Sequence, residues 1–348
     1  MATNVAALLL EPQADLVLQE RPIPKPNADE VVVRNHALAL NPVDWKKQSW
    51  GYAIDSYPEI LGSDIAGIVA DVGSSVTKFK KGDRVLAWTS SRFIGRIDGG
   101  AFQTYSVARE TVTSPLPDNL SFEQGAVVPL GILTAAAALF DSLGIPAPPT
   151  SSSSSPAAAK DGVLLVSGGS SSVGSNGVQL GRRLGLTVIA TASKQHHEYV
   201  RSLGATAVVD YHSPTVVEDL AAAVAQTGKP LVHVYDAISE ASSLKPIVAL
   251  LDKAGAKDAK LAVVLPWPEA VPKPASAAVV QVLATPFASK ATTANWLFKE
   301  FIPSGLKDGS FVPSPKLELL DGGLGGLQAG LNKLKAGVSA RKLVLKVD

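Results

Sequence analysis

The hydrophobic pattern of the first 120 residues is typical of short strands. Apolar and β-branched residues occur in brief runs that prolines and glycines interrupt, and few of these runs have helical spacing. The predicted strands are residues 5–10, 16–19, 30–40, 66–72, 84–87 and 102–107. This part of the chain is therefore expected to form a β-rich domain.

The pattern changes at Ser121. Gln124 follows it by three residues, and this spacing predicts a helix start because the two side chains can cap backbone N–H groups reciprocally. An alanine-rich apolar stretch at residues 126–143 predicts a buried helix that bends at Pro129. Residues 145–161 are a low-complexity run rich in proline, serine and alanine, and this composition predicts a mobile loop that cannot form a core.

Strands and helices alternate from residue 163 onward. The predicted strands are 163–166, 187–192, 207–209, 231–235, 261–265 and 277–284, and the later helices are 195–203, 216–226 and 239–253. This alternation is typical of an α/β fold with a doubly wound parallel sheet. After Pro286 the pattern changes to helices 295–302 and 324–336 and a last strand, 343–347. We expect this tail to return to the first domain.

A glycine-rich turn follows the first of these later strands. Its sequence is Ser167-Gly168-Gly169-Ser170-Ser171-Ser172-Val173-Gly174, and a helical pattern comes after it. A strand, such a turn, a helix and a second strand form the unit that binds a dinucleotide pyrophosphate at a helix N-terminus. The strict G-x-G-x-x-G pattern is absent, because Ser171 takes the place of the middle glycine. The residues predicted to bind the cofactor are Gly169, Ser170, Ser171, Ser172 and Val173; an exposed serine loop is the alternative.

The end of the second strand predicts which cofactor is bound. An NAD-binding unit usually has Asp or Glu there to bind the ribose 2′-hydroxyl, but this strand ends in Ala192-Ser193-Lys194. A hydroxyl and an ammonium group suit a 2′-phosphate instead. We therefore expect NADPH rather than NADH, with Ser193 and Lys194 near the phosphate. An ordinary surface lysine is the alternative.

The composition excludes several classes of protein. The chain has 348 residues, 46% of them hydrophobic, and its 32 basic and 31 acidic residues nearly balance. This balance gives no reason to expect nucleic acid or a membrane as a partner. No run reaches the roughly 18 uninterrupted apolar residues of a membrane span, so a cytoplasmic location is expected. The lack of cysteine excludes disulfides, thiolate nucleophiles and cysteine-ligated zinc.

Motifs along nearly the whole chain resemble the medium-chain dehydrogenase/reductase superfamily. The resemblance is to its zinc-independent branch of quinone reductases and fungal enoyl reductases, including those that act in trans on polyketide synthases. Besides the Ser-Gly-Gly turn, the motifs are Asn41-Pro42-Val43-Asp44-Trp45-Lys46, Leu61-Gly62-Ser63-Asp64-Ile65-Ala66-Gly67, Lys81-Gly82-Asp83-Arg84-Val85, Gly99-Gly100-Ala101-Phe102, Thr134-Ala135, Leu203-Gly204-Ala205, Val209-Asp210-Tyr211 and Ser339-Ala340-Arg341-Lys342-Leu343-Val344. Their order and spacing together are specific.

The resemblance implies a GroES-like catalytic domain, residues 1–121 and 286–348, and an inserted Rossmann domain, residues 122–285. It also implies a cleft between them for NADPH and substrate, and it leaves a monomer or a homodimer open. The zinc-dependent branch binds its metal with cysteine and a His-Glu pair, which corresponds here to Ser63-Asp64. We therefore expect no metal, and we expect Asp64 to accept backbone donors in its turn.

The same resemblance implies roles for individual residues. The further cofactor contacts that it implies are Val43, Asp44, Trp45, Lys46, Thr134, His196, Tyr211, Val264, Leu265, Leu343 and Val344. The acyl pocket would be lined by Gly131, Thr134 and Ala135. Tyr52 is favoured over Tyr57 as the catalytic acid or orienting group, with a loop-packing aromatic as the alternative. Lys46 is the second catalytic candidate, with a solvated lysine as the alternative.

Without zinc, the accessible chemistry is conjugate reduction. Hydride moves from nicotinamide C4 to the β-carbon of an α,β-unsaturated carbonyl, the enolate oxygen is stabilised by donors, and the α-carbon is protonated. The predicted function is an NADPH-dependent reductase of enones or enoyl thioesters, with a synthase carrier domain among its candidate partners. A quinone reductase and a nucleotide-binding protein without turnover are the alternatives.

Overall fold

The computed structural model describes residues 3–148, 162–256 and 258–347. The part of the predicted low-complexity loop from 149 to 161 lies outside these residues. The chain divides into two compact units, Met1–Leu130 with Ala294–Asp348 and Gly131–Thr293. The domain limits at 121/122 and 285/286 stay a prediction from the sequence.

The regular elements are numbered in chain order. The strands are β1 (Asn4–Leu9), β2 (Val17–Arg21), β3 (Glu30–Ala39), β4 (Glu59–Ile60), β5 (Asp64–Val72), β6 (Arg84–Trp88), β7 (Tyr105–Arg109), β8 (Thr113–Pro115), β9 (Val163–Ser167), β10 (Thr187–Thr191), β11 (Ala207–Val209), β12 (Leu231–Asp236), β13 (Ala259–Val263), β14 (Ala277–Gln281), β15 (Lys316–Leu320) and β16 (Arg341–Lys346). The α-helices are α1 (Pro42–Trp50), α2 (Ser91–Ile94), α3 (Phe122–Ala126), α4 (Pro129–Ala136), α5 (Ser172–Arg183), α6 (His197–Ser202), α7 (Val216–Gln226), α8 (Ala241–Ala254), α9 (Ala284–Ala288), α10 (Ala291–Asn295), α11 (Ile302–Asp308) and α12 (Leu327–Ala336). Two π-helical segments occur at Ala137–Ser142 and Trp296–Phe301.

A parallel sheet forms the centre of the unit Gly131–Thr293. In the described part of the chain its order is β11-β10-β9-β12-β13-β14. The chain runs outward from β9 through β10 to β11, then crosses to β12 and runs outward in the other direction. The predicted doubly wound sheet is therefore confirmed. Its topological switch point lies between β9 and β12, and ligands of such sheets bind outside the carboxyl ends of the strands there.

Helix α5 lies close against this sheet because glycines face the strands. A Cβ atom on Gly177 would lie 2.9 Å from the ring of Tyr235, and one on Gly181 would lie 2.7 Å from Leu164 Cδ2. Any side chain at either position would therefore push the helix away from the strands. Leu180 lies on the same face and is fully buried. This is the apolar face that the sequence pattern predicts.

The unit Met1–Leu130 with Ala294–Asp348 is built on two sheets among its described residues. One has the order β2-β1-β4, and the other follows the path β15-β16-β3-β5-β6-β8, with β7 also paired to β3. Val344 of β16 lies opposite Ala39 of β3 in an antiparallel pair. The tail of the chain therefore returns to the first domain, as expected. Its core includes Leu8, Leu38 and Leu331, from β1, β3 and α12.

Some predicted elements are wrong in their bounds, and several elements were absent from the prediction, among them α1, α2, β4, β8, α9 and β15. The predicted strand 102–107 begins at Tyr105, the predicted strand 277–284 ends at Gln281, and the predicted strand 261–265 ends at Val263. Helix α1 has no counterpart among the predicted elements. Its start nevertheless carries a recognisable signal, because Asn41 is the N-cap, Pro42 follows, and the first turn is acidic.

The apolar segment Phe122–Ser142 is, among the described residues, long and apolar enough to cross a membrane by length and composition. The sequence expectation considered only uninterrupted apolar runs and therefore missed it. Within the protein, 83% of its most apolar window is buried, which is typical of a core helix. The predicted capping box is present at its start, where Ser121 Oγ accepts the N–H of Gln124. The sequence predicts one helix that bends at Pro129, whereas the structure has two, α3 ending at Ala126 and α4 beginning at Pro129.

We predict that Gly174→Ala destabilises the unit that carries α5. A Cβ atom at this position would lie 2.2 Å from the carbonyl oxygen of Gly168, so the backbone of the turn would have to move. The expected loss is about 1–3 kcal/mol in the free energy of unfolding. Gly325→Ala is the control, because its Cβ would meet nothing within 4 Å, and its effect should stay within about 0.5 kcal/mol. Thermal unfolding of both variants measures the difference; equal stabilities would contradict the prediction.

Candidate active site

The turn before α5 is fixed by the end of strand β10. Gly168 N donates to Thr191 Oγ1 at 3.0 Å, and Gly169 N donates to Thr191 O at 2.8 Å. A Cβ atom on Gly169 would lie 2.9 Å from Ala190 Cβ, so glycine is needed for this close approach. The N–H of Gly169 is thus engaged within the protein. Its predicted contact with a cofactor would have to use other atoms.

The N-terminus of α5 leaves backbone donors for an anion. Ser171 is the N-cap, and its hydroxyl oxygen accepts the N–H of Gly174 at 3.1 Å, which explains the serine at the middle-glycine position. The N–H groups of Ser172 and Val173 lie in the first turn, where no intrahelical acceptor exists. No other acceptor for them occurs in residues 3–148, 162–256 and 258–347. Donors at the positive end of a helix dipole fit a pyrophosphate.

The residues predicted to bind the adenosine end lie at one edge of the sheet. Strands β10 and β11 are parallel neighbours with Thr191 opposite Val209, so the residues that follow both strands emerge at the same edge. Ser193 is half-buried, Lys194 is exposed, and Tyr211 is 50% exposed. These side chains can reach a ligand outside this edge.

Two histidines and a carboxylate lie near the same edge. His196 is half-buried in the 3₁₀ turn after Ser193. Asp210 accepts the backbone N–H of His212 at 3.0 Å and lies 3.2 Å from its Nδ1. Hydrogen bonding to His212 holds the pKa of Asp210 below its usual range. Asp210 is therefore ionised at neutral pH, one strand away from the end of β10.

A buried carboxyl group at the switch point was missed by the sequence reasoning. Asp236 ends β12 and accepts the hydroxyl of Ser243 at 2.7 Å and the N–H of Ile238 at 3.1 Å. Burial raises the pKa of Asp236, while these hydrogen bonds oppose the rise. An aspartate at the end of an apolar strand is a local signal that the sequence does contain.

The loop after Asp236 also holds the end of the next strand. Ser239 has a left-handed backbone, with φ at 59°, and its hydroxyl donates to Asp236 O at 3.0 Å. The same oxygen accepts the N–H of Val264 at 2.8 Å. Val264 and Leu265, which are predicted to contact the cofactor, thus follow β13. The backbone of Val264 is hydrogen-bonded to the loop through Ser239. Val264 and Leu265 are half-buried, and their cofactor contacts stay a prediction.

In the other unit, the start of α1 is closed by a buried carboxyl group. Asp44 Oδ2 accepts the backbone N–H of Asn41 at 2.7 Å, while Asp44 Oδ1 has no partner among the described residues. Burial is the main cause that raises the pKa of Asp44 to about 7, and the nearby carboxylate of Asp64 adds to it. The side chain of Asp44 is fully enclosed, so a cofactor contact through this group would require it to move.

A buried ion pair joins three distant segments next to α1. Asp64 Oδ2 accepts Asn41 Nδ2 at 2.8 Å and Lys342 Nζ at 2.8 Å, and Asp64 Oδ1 accepts the N–H of Leu130 at 2.6 Å. Lys342 Nζ also donates to Asn41 Oδ1. Asp64 is 0% exposed and Lys342 is 2% exposed. The structural role expected for Asp64 is thus present, but its donors come from other segments and not from its own turn.

The residues around Asp64 do not fit a zinc ion. Both carboxylate oxygens are already acceptors, and the ammonium group of Lys342 lies where a second cation would be repelled. Within the described ranges, no group of three or more His, Cys, Asp or Glu side chains is placed to hold a metal. An open catalytic zinc site needs three protein ligands. The side chains present here therefore disagree with such a site.

The two catalytic candidates are associated with α1. Lys46 Nζ lies 5.5 Å from the Trp45 ring centroid and 5.6 Å from that of Trp50. Tyr52 follows Gly51, which ends the helix with φ at +65°, and its side chain is exposed. Val43, Trp45 and Lys46 are half-buried on the helix. The side chains of Lys46 and Tyr52 are accessible for catalysis, and the catalytic roles of these two residues stay predictions.

The residues predicted to line the acyl pocket are mostly packed. A Cβ atom on Gly131 would lie 2.6 Å from Asn176 Nδ2. The absence of a side chain at Gly131 therefore lets α5 pack close to this residue. Ala135 is fully buried, and Thr134 is half-buried. Gly131 therefore has a packing role within its unit, and its place in a substrate pocket stays a prediction.

The tail residues predicted to contact the cofactor form part of a sheet. Leu343 and Val344 are fully buried in β16. Leu343 O accepts the N–H of Leu40 at 2.9 Å, and Val344 pairs with Ala39. The sheet therefore already uses the carbonyl of Leu343. The cofactor contacts of both residues stay a prediction.

We predict that Asp44 makes the protein less stable as the pH rises through neutrality. The unfolded chain loses this proton near pH 4, whereas the folded protein keeps it to about pH 7. The stability from this group is thus complete below about pH 4 and is lost as the pH rises through about 7. Asp44→Asn, which keeps an acceptor for Asn41, should flatten this dependence. Thermal unfolding between about pH 5 and about pH 8 measures it; parallel curves for both proteins would contradict it.

We predict that the Asp64–Lys342 pair is strongly coupled. Lys342→Met leaves a buried carboxylate without its cation and should cost about 3–5 kcal/mol of stability. Adding Asp64→Asn removes that charge and should recover part of the loss. Lys346→Met, at the exposed end of the same strand, is the control and should cost less than about 1 kcal/mol. A double variant that is as unstable as the sum of its single variants would refute the coupling.

Two family models match the chain. Residues 27–118 match the alcohol dehydrogenase GroES-like domain. Residues 172–257 match a family described as zinc-binding dehydrogenase. The first match contains Asp64 and α1, and the second begins at the first residue of α5. The matched segments therefore contain the two sets of residues described above.

Similar proteins cover nearly the whole chain. A trans-enoyl reductase of Aspergillus flavipes is 37% identical over 98% of each chain. A trans-enoyl reductase of Aspergillus japonicus is 35% identical over 92% of this chain and 90% of its own length. The crystal structure of an alcohol dehydrogenase superfamily protein from Novosphingobium aromaticivorans is 25% identical, covers 99% of this chain and 100% of its own, and has a TM-score of 0.79. The chain therefore belongs to the medium-chain dehydrogenase/reductase family, and it is an oxidoreductase with a nicotinamide dinucleotide cofactor.

Proposed function

We propose that this protein is an NADPH-dependent reductase of activated C=C bonds in enones or enoyl thioesters. Relatives that are named trans-enoyl reductases and align over nearly the full length support this reaction. The observation that carries the choice of cofactor is the end of β10. There Ser193 and an exposed Lys194 stand where an NAD-binding unit has a carboxylate.

The nucleotide is held by backbone donors and by one cation. The free N–H groups of Ser172 and Val173 bind the pyrophosphate, since both lie in the first turn of α5. Lys194 supplies the charge that a 2′-phosphate requires and that a ribose hydroxyl does not. Lys194 therefore contributes to discrimination between NADPH and NADH.

The reaction needs hydrogen-bond donors for the enolate oxygen and a proton for the α-carbon more than it needs a nucleophile. Bound NADPH supplies the hydride for the β-carbon. Lys46 can donate a hydrogen bond to the oxygen on which negative charge develops, and Tyr52 can deliver a proton from its exposed hydroxyl. Asp64 takes no part as a ligand or acid, because both its oxygens accept hydrogen bonds from buried groups.

The proposed substrate is a small enone or an enoyl group carried as a thioester. A carrier domain of a synthase is then a candidate partner, and we expect the reaction to take place in the cytoplasm. A quinone is the competing substrate for the same cofactor.

We predict a distinct result for each variant in one NADPH-oxidation assay. Lys194→Ala should raise KM for NADPH by about tenfold or more and leave KM for NADH nearly unchanged, because only NADPH loses a charged contact. Lys245→Ala, another exposed lysine of the same unit, is the control and should change neither. Tyr52→Phe should lower kcat by about 10²–10⁴-fold, as loss of a general acid does. Tyr57→Phe is its control.

The outcomes separate the alternatives. Reduction of an enoyl thioester but not of a quinone supports the proposal, and the reverse preference selects quinone reduction instead. Equal effects of Lys194→Ala on NADPH and NADH would remove the phosphate role of that residue. Full activity of Tyr52→Phe would remove the tyrosine from the mechanism.

A further inference from the structure

A polar pocket lies on the unit that carries α1, beside the helix that also carries the catalytic candidate Lys46. Its volume is about 310 Å³, which is within the usual range for small-molecule sites. It is formed by α1, by α12 and by the loop before β2, all within one unit. Of the cofactor residues predicted from the sequence, Trp45 lines it.

One backbone N–H group orients a chain of amide side chains at this pocket. Leu16 N donates to Gln328 Oε1 at 3.1 Å, and Gln48 Nε2 donates to the same oxygen at 2.8 Å. Gln328 Nε2 is thereby directed to Asn332 Oδ1, 3.1 Å away. Asn332 therefore keeps its Nδ2 group as a donor, and no acceptor for that group occurs among the described residues. This donor is available to an amide or ester carbonyl.

A cation is held at another wall of the pocket. Lys335 Nζ donates to Ser49 Oγ at 3.1 Å and lies 5.9 Å from the Trp45 ring centroid. The side chain of Lys335 is exposed, its ammonium group lies beside a hydroxyl and an aromatic face, and no carboxylate lies within ion-pair distance of it among the described residues. It can therefore accept an anionic partner such as a phosphate.

The rest of the lining suits a chain that alternates apolar and amide groups. The half-buried indole of Trp45 provides apolar contact, and the exposed carboxylate of Asp15 can accept an amide N–H. Gln13 lines the same pocket and has a left-handed backbone, with φ at 65°. Strained non-glycine residues of this kind cluster at ligand sites.

We infer that this pocket binds the 4′-phosphopantetheine arm of a thioester substrate. This rests on the proposed function, since such an arm carries enoyl groups as thioesters. Its phosphate matches Lys335 and Ser49, its amide carbonyls match Asn332, its amide N–H groups match Asp15, and its methyl groups match the indole of Trp45. A neutral sugar could use the amides and the indole, but it would leave the ammonium group of Lys335 without an anionic partner. Trp45 precedes Lys46 on α1, so the arm lies next to the segment that carries a catalytic candidate.

Calorimetric titration with saturated thioesters tests the site without turnover. The ligands are butyryl-4′-phosphopantetheine, butyryl-pantetheine without the phosphate, and inorganic phosphate alone. The proteins are wild type, Lys335→Ala, Asn332→Ala and Lys333→Ala. Lys333 is the matched control, because it lies on the same helix, pairs with Glu318 and does not line the pocket.

The expected results form a cycle. Lys335→Ala should raise Kd for the phosphorylated ligand by about tenfold. Removal of the phosphate should raise Kd for wild type by the same factor. The two changes together should raise Kd no further than either change alone. Asn332→Ala should weaken both thioesters equally, and Lys333→Ala should weaken neither. Inorganic phosphate alone should not bind measurably.

Two results would overturn the assignment of the pocket. One is equal affinity of wild type for both thioesters, and the other is a Kd that Lys335→Ala leaves unchanged. The proposed reductase activity fails in a different way. If butyryl-4′-phosphopantetheine binds as expected but the matching enoyl thioester is not reduced with NADPH, the pocket stands and the reductase proposal falls.

Discussion

Helix α5 can present its N-terminus at the switch point because its glycines let it lie against the parallel sheet. Gly177 and Gly181 face Tyr235 and Leu164 at distances that admit no side chain. This contact sets the distance between α5 and the sheet. The turn between β9 and α5 is held by hydrogen bonds to Thr191 of the neighbouring strand. The free donors of the first turn are therefore held in place before any ligand arrives. Such preorganisation lowers the cost of binding an anion.

Two buried carboxyl groups, one in each unit, hold together segments that carry predicted site residues. Asp236 organises the loop that anchors Val264 at the end of β13. Asp64 connects Asn41, Leu130 and Lys342, which belong to three separate segments. Each carboxyl group is stabilised by several donors, because a buried charge without partners would be costly. In the second case the charge of Asp64 is balanced by the ammonium group of Lys342.

How far the sequence could predict these features depends on how local they are. The strand, turn and helix around Gly168 are encoded by adjacent residues, so composition and periodicity were enough to predict them. The pairing of Asp64 with Lys342 spans 278 positions, and no pattern within either segment indicates it. No local pattern indicates the role of Gly131 either. Its lack of a side chain suggested a substrate pocket, but the space beside it is taken by the side chain of Asn176 in α5. Helix α1 lacks an apolar stripe, so only its capping residues could have predicted it.

We propose above all that a nicotinamide dinucleotide places its pyrophosphate on the N-terminus of α5. A crystal structure of the protein grown with NADPH tests it most directly. We expect pyrophosphate oxygens within about 2.7–3.2 Å of the backbone nitrogens of Ser172 and Val173, and the adenosine 2′-phosphate beside Lys194. Clear density for the nucleotide at any other place, with these two N–H groups bound only to water, would contradict it.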